Sequence, residues 1–333
     1  MPTVLLTHTP DMLANYYGAR PLAALRALCE VRLNETGGIL DTPAALAKAA
    51  QGCAIIISDR QTPGPAEFFA QAPAGLAAFL RVAIDIRNID VPAASQQGIL
   101  VTHATAGFIA SVVEQTFGFM INQGRHLITY ANDYHAGKDP QSYMGRQLSG
   151  ATLGVIGYGA IGQHLVRVAV AFGMKVLVCD PFKTVTEPGT RQVSFEELLT
   201  ESDFAVCLAI ANEKTENMMN AAAFARMKKR AFFINMSRGN LVDEQALDAA
   251  LDAKQIAGAA MDVGRALDQK PSMFLAKRPD VLASPHTAGL TPDAAEHQAF
   301  DTVNQVKDIL AGKMPQGAAN AAAAHRLGVF TNR

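Results

Sequence analysis

Leu153-Gly154-Val155-Ile156-Gly157-Tyr158-Gly159-Ala160-Ile161-Gly162 decides the fold. A short apolar run enters a Gly157-x-Gly159-x-x-Gly162 turn. Apolar residues then recur at helical spacing, at Ile161, Leu165, Val168, Ala169 and Phe172. A second apolar run, Lys175-Val176-Leu177-Val178-Cys179, ends in Asp180. Strand, glycine turn, helix, strand and acid in this order form the unit that binds a dinucleotide. Gly157 permits the tight turn. At Gly159 a side chain would hold a pyrophosphate off the backbone. Gly162 lets the helix pack close to the strand. The helix N-terminus offers free N–H groups to phosphate. Asp180, about 20 residues beyond the glycines, is placed to accept from ribose hydroxyls. A carboxylate there repels a 2′-phosphate, which selects NAD over NADP.

Outward from this unit the chain alternates strands and helices. After Asp180, strands read at Phe204–Ala209, Ala231–Asn235, Ile256–Met261 and Val281–Ala283, with helices between. Before it, residues 1–102 read as a smaller unit of about five strands. These lie near Val4–Thr7, Val31–Leu33, Ala54–Ile57, Phe79–Ile84 and Ile99–Thr102. Such alternation means parallel sheets covered on both faces, an α/β class of two doubly wound domains. The stretch from Phe108 to about Tyr130 reads as one long apolar helix buried at a domain or subunit interface. Residues from Gly317 to Arg333 are Ala-rich without a clear period and read as a tail.

The bulk numbers set limits. A chain of 333 residues with 49% hydrophobic and 18% charged residues can bury two cores. A formal net charge of -1, 7% aromatics and no Trp argue against nucleic acid or an anionic membrane surface as partner. The four cysteines, Cys29, Cys53, Cys179 and Cys207, form no CxxC, as expected in a reducing compartment. No apolar run reaches the roughly 18 residues of a membrane span, and no signal peptide is evident. The expectation is a cytoplasmic protein. The histidines lack metal-ligand spacing, so no metal is expected.

Three strand ends of the second domain carry polar groups. Met236-Ser237-Arg238-Gly239 follows one strand, Asp262 ends another, and Ser284-Pro285-His286-Thr287-Ala288-Gly289 follows a third. In an open α/β sheet the carboxyl ends of the strands face the ligand crevice. Hydride transfer to a carbonyl needs a cation to polarise it and a proton donor that works near neutrality. Arg238 suits the first task and His286 the second. His8, His103, His126 and His135 stand alone and read as ordinary loop or core residues. In the first domain the working edge is expected at Arg60 and at Ile84 to Asn88.

These blocks together resemble the D-isomer-specific 2-hydroxyacid dehydrogenase family, a group that includes glyoxylate/hydroxypyruvate reductases and phosphoglycerate dehydrogenases. The resemblance rests on the glycine turn, Ile234-Asn235-Met236-Ser237-Arg238-Gly239-Asn240-Leu241-Val242-Asp243-Glu244, Gly258-Ala259-Ala260-Met261-Asp262-Val263 and Ser284–Gly289. It implies a homodimer of two-domain subunits acting on a small 2-keto or D-2-hydroxy acid. It also implies a flavodoxin-like substrate domain, residues 1–102 with 289–333 returning to it, and a Rossmann NAD domain over 103–288. Arg238 and His286 then match the family's substrate arginine and acid/base histidine. Asp262 matches its acid near the nicotinamide. Ala160, Ile161, Met236 and Gly289 fall where the family touches NAD. An alternative branch of NAD(H)-responsive corepressors resembles the family too.

Two departures stand out. The family's glutamate that pairs with the histidine falls on Leu267, and the neighbouring Asp268 is the expected substitute. The family's Gly-Val-Gly substrate loop falls on Ala83-Ile84-Asp85, followed by Arg87. Ile84, Asp85, Arg87 and Arg60 are therefore the candidate substrate residues, with an Asp85–Arg87 pair bracing the loop as the competing reading.

Overall fold

The computed structural model describes residues 1–331 and divides into two compact units. One comprises Met1–Phe108 with Thr291–Arg333, the other Ile109–Leu290. Both are built on wholly parallel sheets.

The first unit contains β1 (Thr3–Leu6), β2 (Glu30–Leu33), β3 (Ile55–Ser58), β4 (Ala78–Arg81) and β5 (Leu100–His103). Their order is β2-β1-β3-β4-β5, the flavodoxin-like order. Strands β3 and β4 are buried along their full length because helices cover both faces. One face packs with Tyr17, Leu25, Val303, Val306 and Ile309. The other packs with Leu46, Phe68, Phe69 and Phe79. The Pro292–Leu310 helix starts with a Thr291 cap and a proline in its first turn.

The tail expected after Gly317 is not loose. Ala318 bridges to Thr102, and the Ala319 amide donates to the Val101 carbonyl at 2.8 Å. Asn320 accepts from the Val101 amide at 2.8 Å and donates to the Ile99 carbonyl at 2.9 Å. Ala324 and Phe330 enter the core. An alanine-rich segment shows no period when it runs irregularly along a strand edge, so its role is set by β5 and not by its own pattern. Residues 332 and 333, the end of that expected tail, lie outside the described residues.

The second unit contains β6 (Thr152–Ile156), β7 (Lys175–Cys179), β8 (Thr190–Gln192), β9 (Phe204–Cys207), β10 (Phe232–Asn235), β11 (Gly258–Met261) and β12 (Val281–Ala283). Their order, β12-β11-β10-β9-β6-β7-β8, is the Rossmann order extended by one strand. The reversal lies between β6 and β9, where Ile156 pairs with Cys207. Strand β8 escapes the sequence reading because it is a three-residue polar edge, Thr-Arg-Gln, with no apolar run.

The expected long helix is two helices, Ile109–Arg125 and Leu127–His135, broken at His126 with φ 56°. The first is buried within its own unit. Phe117 stacks on Phe172, and the Gln123 amide donates to the Ala259 carbonyl at 2.5 Å. The second buries no residue. Hydrophobic composition runs through the break; the left-handed turn at His126 does not show in it.

Candidate active site

The glycine turn follows β6 at the reversal point of the larger sheet. Gly157 has φ 100°, and a Cβ there would meet the Leu208 carbonyl oxygen at 2.7 Å. A Cβ on Gly162 would meet the Gly157 carbonyl oxygen at 2.3 Å. Both glycines are thus required by the chain itself. Gly159 differs. Nothing lies within 4 Å of the place its Cβ would take. The chain has no packing reason for a glycine there, whereas a phosphate drawn against the backbone does. Gly159 is the N-cap of the Ala160–Ala171 helix and gives no side-chain cap, which leaves the first-turn N–H groups for an anion.

Asp180 closes this turn from β7. It accepts from the Tyr158 amide at 2.7 Å, inside the glycine turn, and from the Phe182 and Lys183 amides at 2.8 and 3.0 Å. One carboxylate oxygen takes two of these bonds and the other takes one, so acceptor capacity is left. Phe182 and Ile210 are 90% and 77% exposed at the same end of the sheet, after β7 and β9. The sequence reading passed over both. The signal was available: a large apolar residue in a loop just past a strand end serves no core. Glycine turn, helix N-terminus, free carboxylate sites and apolar flanks together fit a dinucleotide.

Arg238 is exposed after β10, and its backbone is held tightly. The fully buried Asn235 donates to the Arg238 carbonyl at 2.9 Å and accepts from the Ser237 amide at 3.2 Å. The Ser237 hydroxyl donates to the Ala209 carbonyl at 2.7 Å, and the Arg238 guanidinium donates to the Ser237 carbonyl at 2.6 Å. Met236 is buried beneath this turn. Asn235 was not singled out from the sequence, because an asparagine ending an apolar run carries no signal by itself.

His286 follows β12 with φ 60°, and its amide donates to the Asp262 carbonyl at 2.9 Å. Asp262 is 2% exposed. Its carboxylate accepts from the Thr287 and Ala288 amides at 2.9 and 3.0 Å, from the Ser284 hydroxyl, and from Gln115 at 3.2 Å. Asp262, expected to bond the cofactor or an adjacent polar group, braces the loop that carries His286 and Gly289. The Asp268 carboxylate expected against the imidazole does not face it. Asp268 approaches His286 with its main-chain oxygen, 2.7 Å from Nδ1. Its side chain is 73% exposed and lies 4.0 Å from Lys270. The reason is conformational: Asp268 is left-handed, φ 59°, ψ 26°, which turns the carbonyl inward.

In the first unit Asp85 and Arg87 pair with each other at 2.5 to 3.0 Å on an exposed loop, which is the bracing arrangement. Ile84 is 39% exposed beside them, and Arg60 is exposed after β3. Below lies a polar cluster that sequence reasoning missed. Arg81, fully buried at the end of β4, donates to the carbonyls of Asp59 and Thr62 and to Asn88 at 2.6 Å. Asp59 accepts from Thr7, Gln61 and Thr62. Burial pushes its carboxyl up, but these hydrogen bonds outweigh burial and hold it below the usual range. His8 is 3% exposed, and burial lowers its pKa to about 4, against a partial upward pull from Asp59. The cluster ties together the loops after β1, β3 and β4. Among the described residues no group of His, Cys, Asp and Glu is arranged to hold a metal ion.

Residues 117–288, just over half of the chain, match the model of the D-isomer specific 2-hydroxyacid dehydrogenase NAD binding domain. The chain belongs to this family. Among its relatives is the (S)-sulfolactate dehydrogenase of Chromohalobacter salexigens, 31% identical over 90% of this chain and 97% of that protein. The D-3-phosphoglycerate dehydrogenase of Synechocystis sp. is 34% identical over 75% of this chain and 46% of that protein. The chain thus spans about half the length of the phosphoglycerate dehydrogenases it matches. A solved structure of the D-lactate dehydrogenase of Aquifex aeolicus, complexed with NAD and lactic acid, superposes with a TM-score of 0.70. It covers 93% of this chain and 96% of its own, at 26% identity. The NAD-binding domain of the family therefore coincides with the sheet that carries Gly157, Arg238 and His286. These curated relatives are enzymes by name, and nothing in them supports the corepressor alternative.

Proposed function

We propose that this chain is an NAD-dependent D-2-hydroxyacid dehydrogenase that interconverts a small 2-keto acid and the D-2-hydroxy acid. The observation that carries the reading is the common edge of one sheet. The glycine turn after β6, Arg238 after β10 and His286 after β12 all leave the carboxyl ends of parallel strands.

When bound, the nicotinamide supplies or accepts the hydride. Gly157, Gly159, Gly162, Ala160 and Ile161 would line the pyrophosphate, and Asp180 the ribose. Phe182 and Ile210 would flank the adenine. Met236, Asp262 and Gly289 would lie against the nicotinamide end of the cofactor, with Asp262 also bracing the His286 loop. Arg238 would grip the substrate carboxylate and polarise the keto oxygen through charge-assisted hydrogen bonds. His286 would give its Nε2 proton to that oxygen in reduction and take it back in oxidation. In the first unit, the proposed substrate domain, the Arg60 and Ile84–Arg87 loops would set substrate choice. The chain is proposed to work as a cytoplasmic homodimer. All four cysteines are free thiols, and no described helix is long and apolar enough to cross a membrane.

The test is NADH oxidation against a panel of small 2-keto acids, sulfopyruvate, hydroxypyruvate, glyoxylate and pyruvate among them, repeated with NADPH. Turnover with NADH on one or two members is expected. Tight NADH binding without turnover on any acid would sink the reading.

A further inference from the structure

We propose that His286 is oriented by a main-chain carbonyl, that of Asp268, and that Glu244 is the positioning residue that holds this carbonyl in place. The inference rests on the reading of His286 as the acid/base group.

The Nδ1 atom of His286 lies 2.7 Å from the Asp268 carbonyl oxygen. A carbonyl only accepts, so Nδ1 carries the hydrogen and Nε2 is left to exchange a proton with substrate. The ring is held by a neutral partner. Tautomer and orientation are set as a carboxylate would set them, but an imidazolium gains less from a carbonyl than from an anion.

The carbonyl reaches the ring because Asp268 and Gln269 are consecutive left-handed residues, with φ 59° and 58°. A left-handed backbone is unfavourable for a residue with a Cβ, so the turn persists only where its surroundings impose it. Those surroundings are visible. The turn closes on itself, Gly264 N to Gln269 O at 2.8 Å and Ala266 N to Lys270 O at 3.0 Å. Beneath it lies Glu244, 5% exposed. One of its carboxylate oxygens accepts from the Arg265 amide at 3.0 Å, and the other accepts from the Ser272 hydroxyl. A single buried carboxylate therefore ties the chain on both sides of the turn. Arg265 adds a second anchor through the carbonyls of Val242 and Asn240, both at 3.0 Å. There is little slack. A Cβ on Gly264 would meet a Glu244 oxygen at 2.9 Å, and one on Gly239 would meet the Gly264 oxygen at 2.0 Å. The stiff path thus runs from Glu244 through the loop to the imidazole.

On this account the side chain at position 268 is dispensable and its backbone conformation is not. Two measurements test it: the pH profile of kcat/KM, and the His286 ring tautomer by nitrogen NMR of histidine-labelled protein, assigned with His286→Asn. Asp268→Asn and Asp268→Gly are expected to keep the wild-type pH profile, with rates within about twofold. Asp268→Pro cannot adopt a positive φ. It is expected to lose roughly 10²–10⁴ in kcat, with NADH binding retained and the Nδ1–H tautomer no longer enforced. Glu244→Ala should behave in the same direction, and Glu244→Gln, which keeps an acceptor for the Arg265 amide, should restore much of the rate. If the proline variant fails to fold, the Glu244 pair and the asparagine and glycine variants still decide. A shifted pH profile in Asp268→Asn, or an Nε2–H ring in the wild-type protein, overturns the proposal. A wild-type Nδ1–H ring without keto-acid turnover would instead count against the dehydrogenase reading and leave the orientation standing.

Discussion

At the scale of single residues, the proposed site separates exposed groups assigned to ligand from buried groups that hold them. Arg238 and His286 are exposed; Asn235, Asp262 and Glu244 are buried beneath them. Arg238→Ala is expected to abolish keto-acid-dependent NADH oxidation while NADH binding, followed by fluorescence, stays nearly intact. His286→Ala should lower kcat by roughly 10²–10⁴. Retention of wild-type kcat in either variant would remove it from the machinery. Asp180 has two tasks, three main-chain bonds and the proposed ribose contact. Asp180→Asn keeps one acceptor oxygen, enough for the Phe182 and Lys183 amides, but loses the charge and the acceptor of the Tyr158 amide. The ratio of kcat/KM with NADH to that with NADPH should fall, and an unchanged ratio would refute the ribose assignment.

At the scale of elements, two features of the first unit make predictions about stability. The segment after Gly317 holds β5 through Asn320, which also donates to the Ser95 hydroxyl at 2.9 Å. Asn320→Ala leaves the Val101 amide without its acceptor and should cost about 1–3 kcal/mol in urea unfolding. The second feature is His8 at the end of β1. Its pKa lies below the ordinary 6.5, at about 4, so the unfolded chain binds more protons between these values. Stability from burying neutral His8 is complete above pH 6.5 and is lost as pH falls toward 4. The span corresponds to about 3 kcal/mol. His8→Gln should flatten the dependence of unfolding free energy on pH across that window. A slope equal to wild type would show that other groups carry it.

At the scale of the whole molecule, the Leu127–His135 helix and the loop after it leave an apolar surface. Met144 is 98% exposed, Tyr134 65%, Tyr143 53%, Leu127 51% and Ile128 46%. Monomers seldom leave such a group of side chains in water. The proposed homodimer would cover it, and Ile128→Glu with Met144→Glu should shift sedimentation toward the monomer. A wild-type sedimentation coefficient in that variant would place any interface elsewhere.

The sequence by itself determined the class of both sheets and the NAD unit. Parallel strands buried on both faces must be continuous apolar runs, and a glycine turn between strand and helix has one common use. The placement of Arg238 and His286 at strand ends was legible for the same reason, since each follows an apolar run that reads as a strand. What tertiary structure decided is how the backbone turns between those elements. The left-handed Asp268 presents a carbonyl where the chain suggested a carboxylate. Asp262 braces a loop, His126 breaks a helix, and an alanine-rich end lies along β5. His8, Asp59 and Arg81 are far apart in sequence and meet only because β1, β3 and β4 are neighbours in the sheet. Periodicity reports which side of an element faces the core. It does not report main-chain dihedrals in loops or which strand ends come together, and these placed the groups that hold the site.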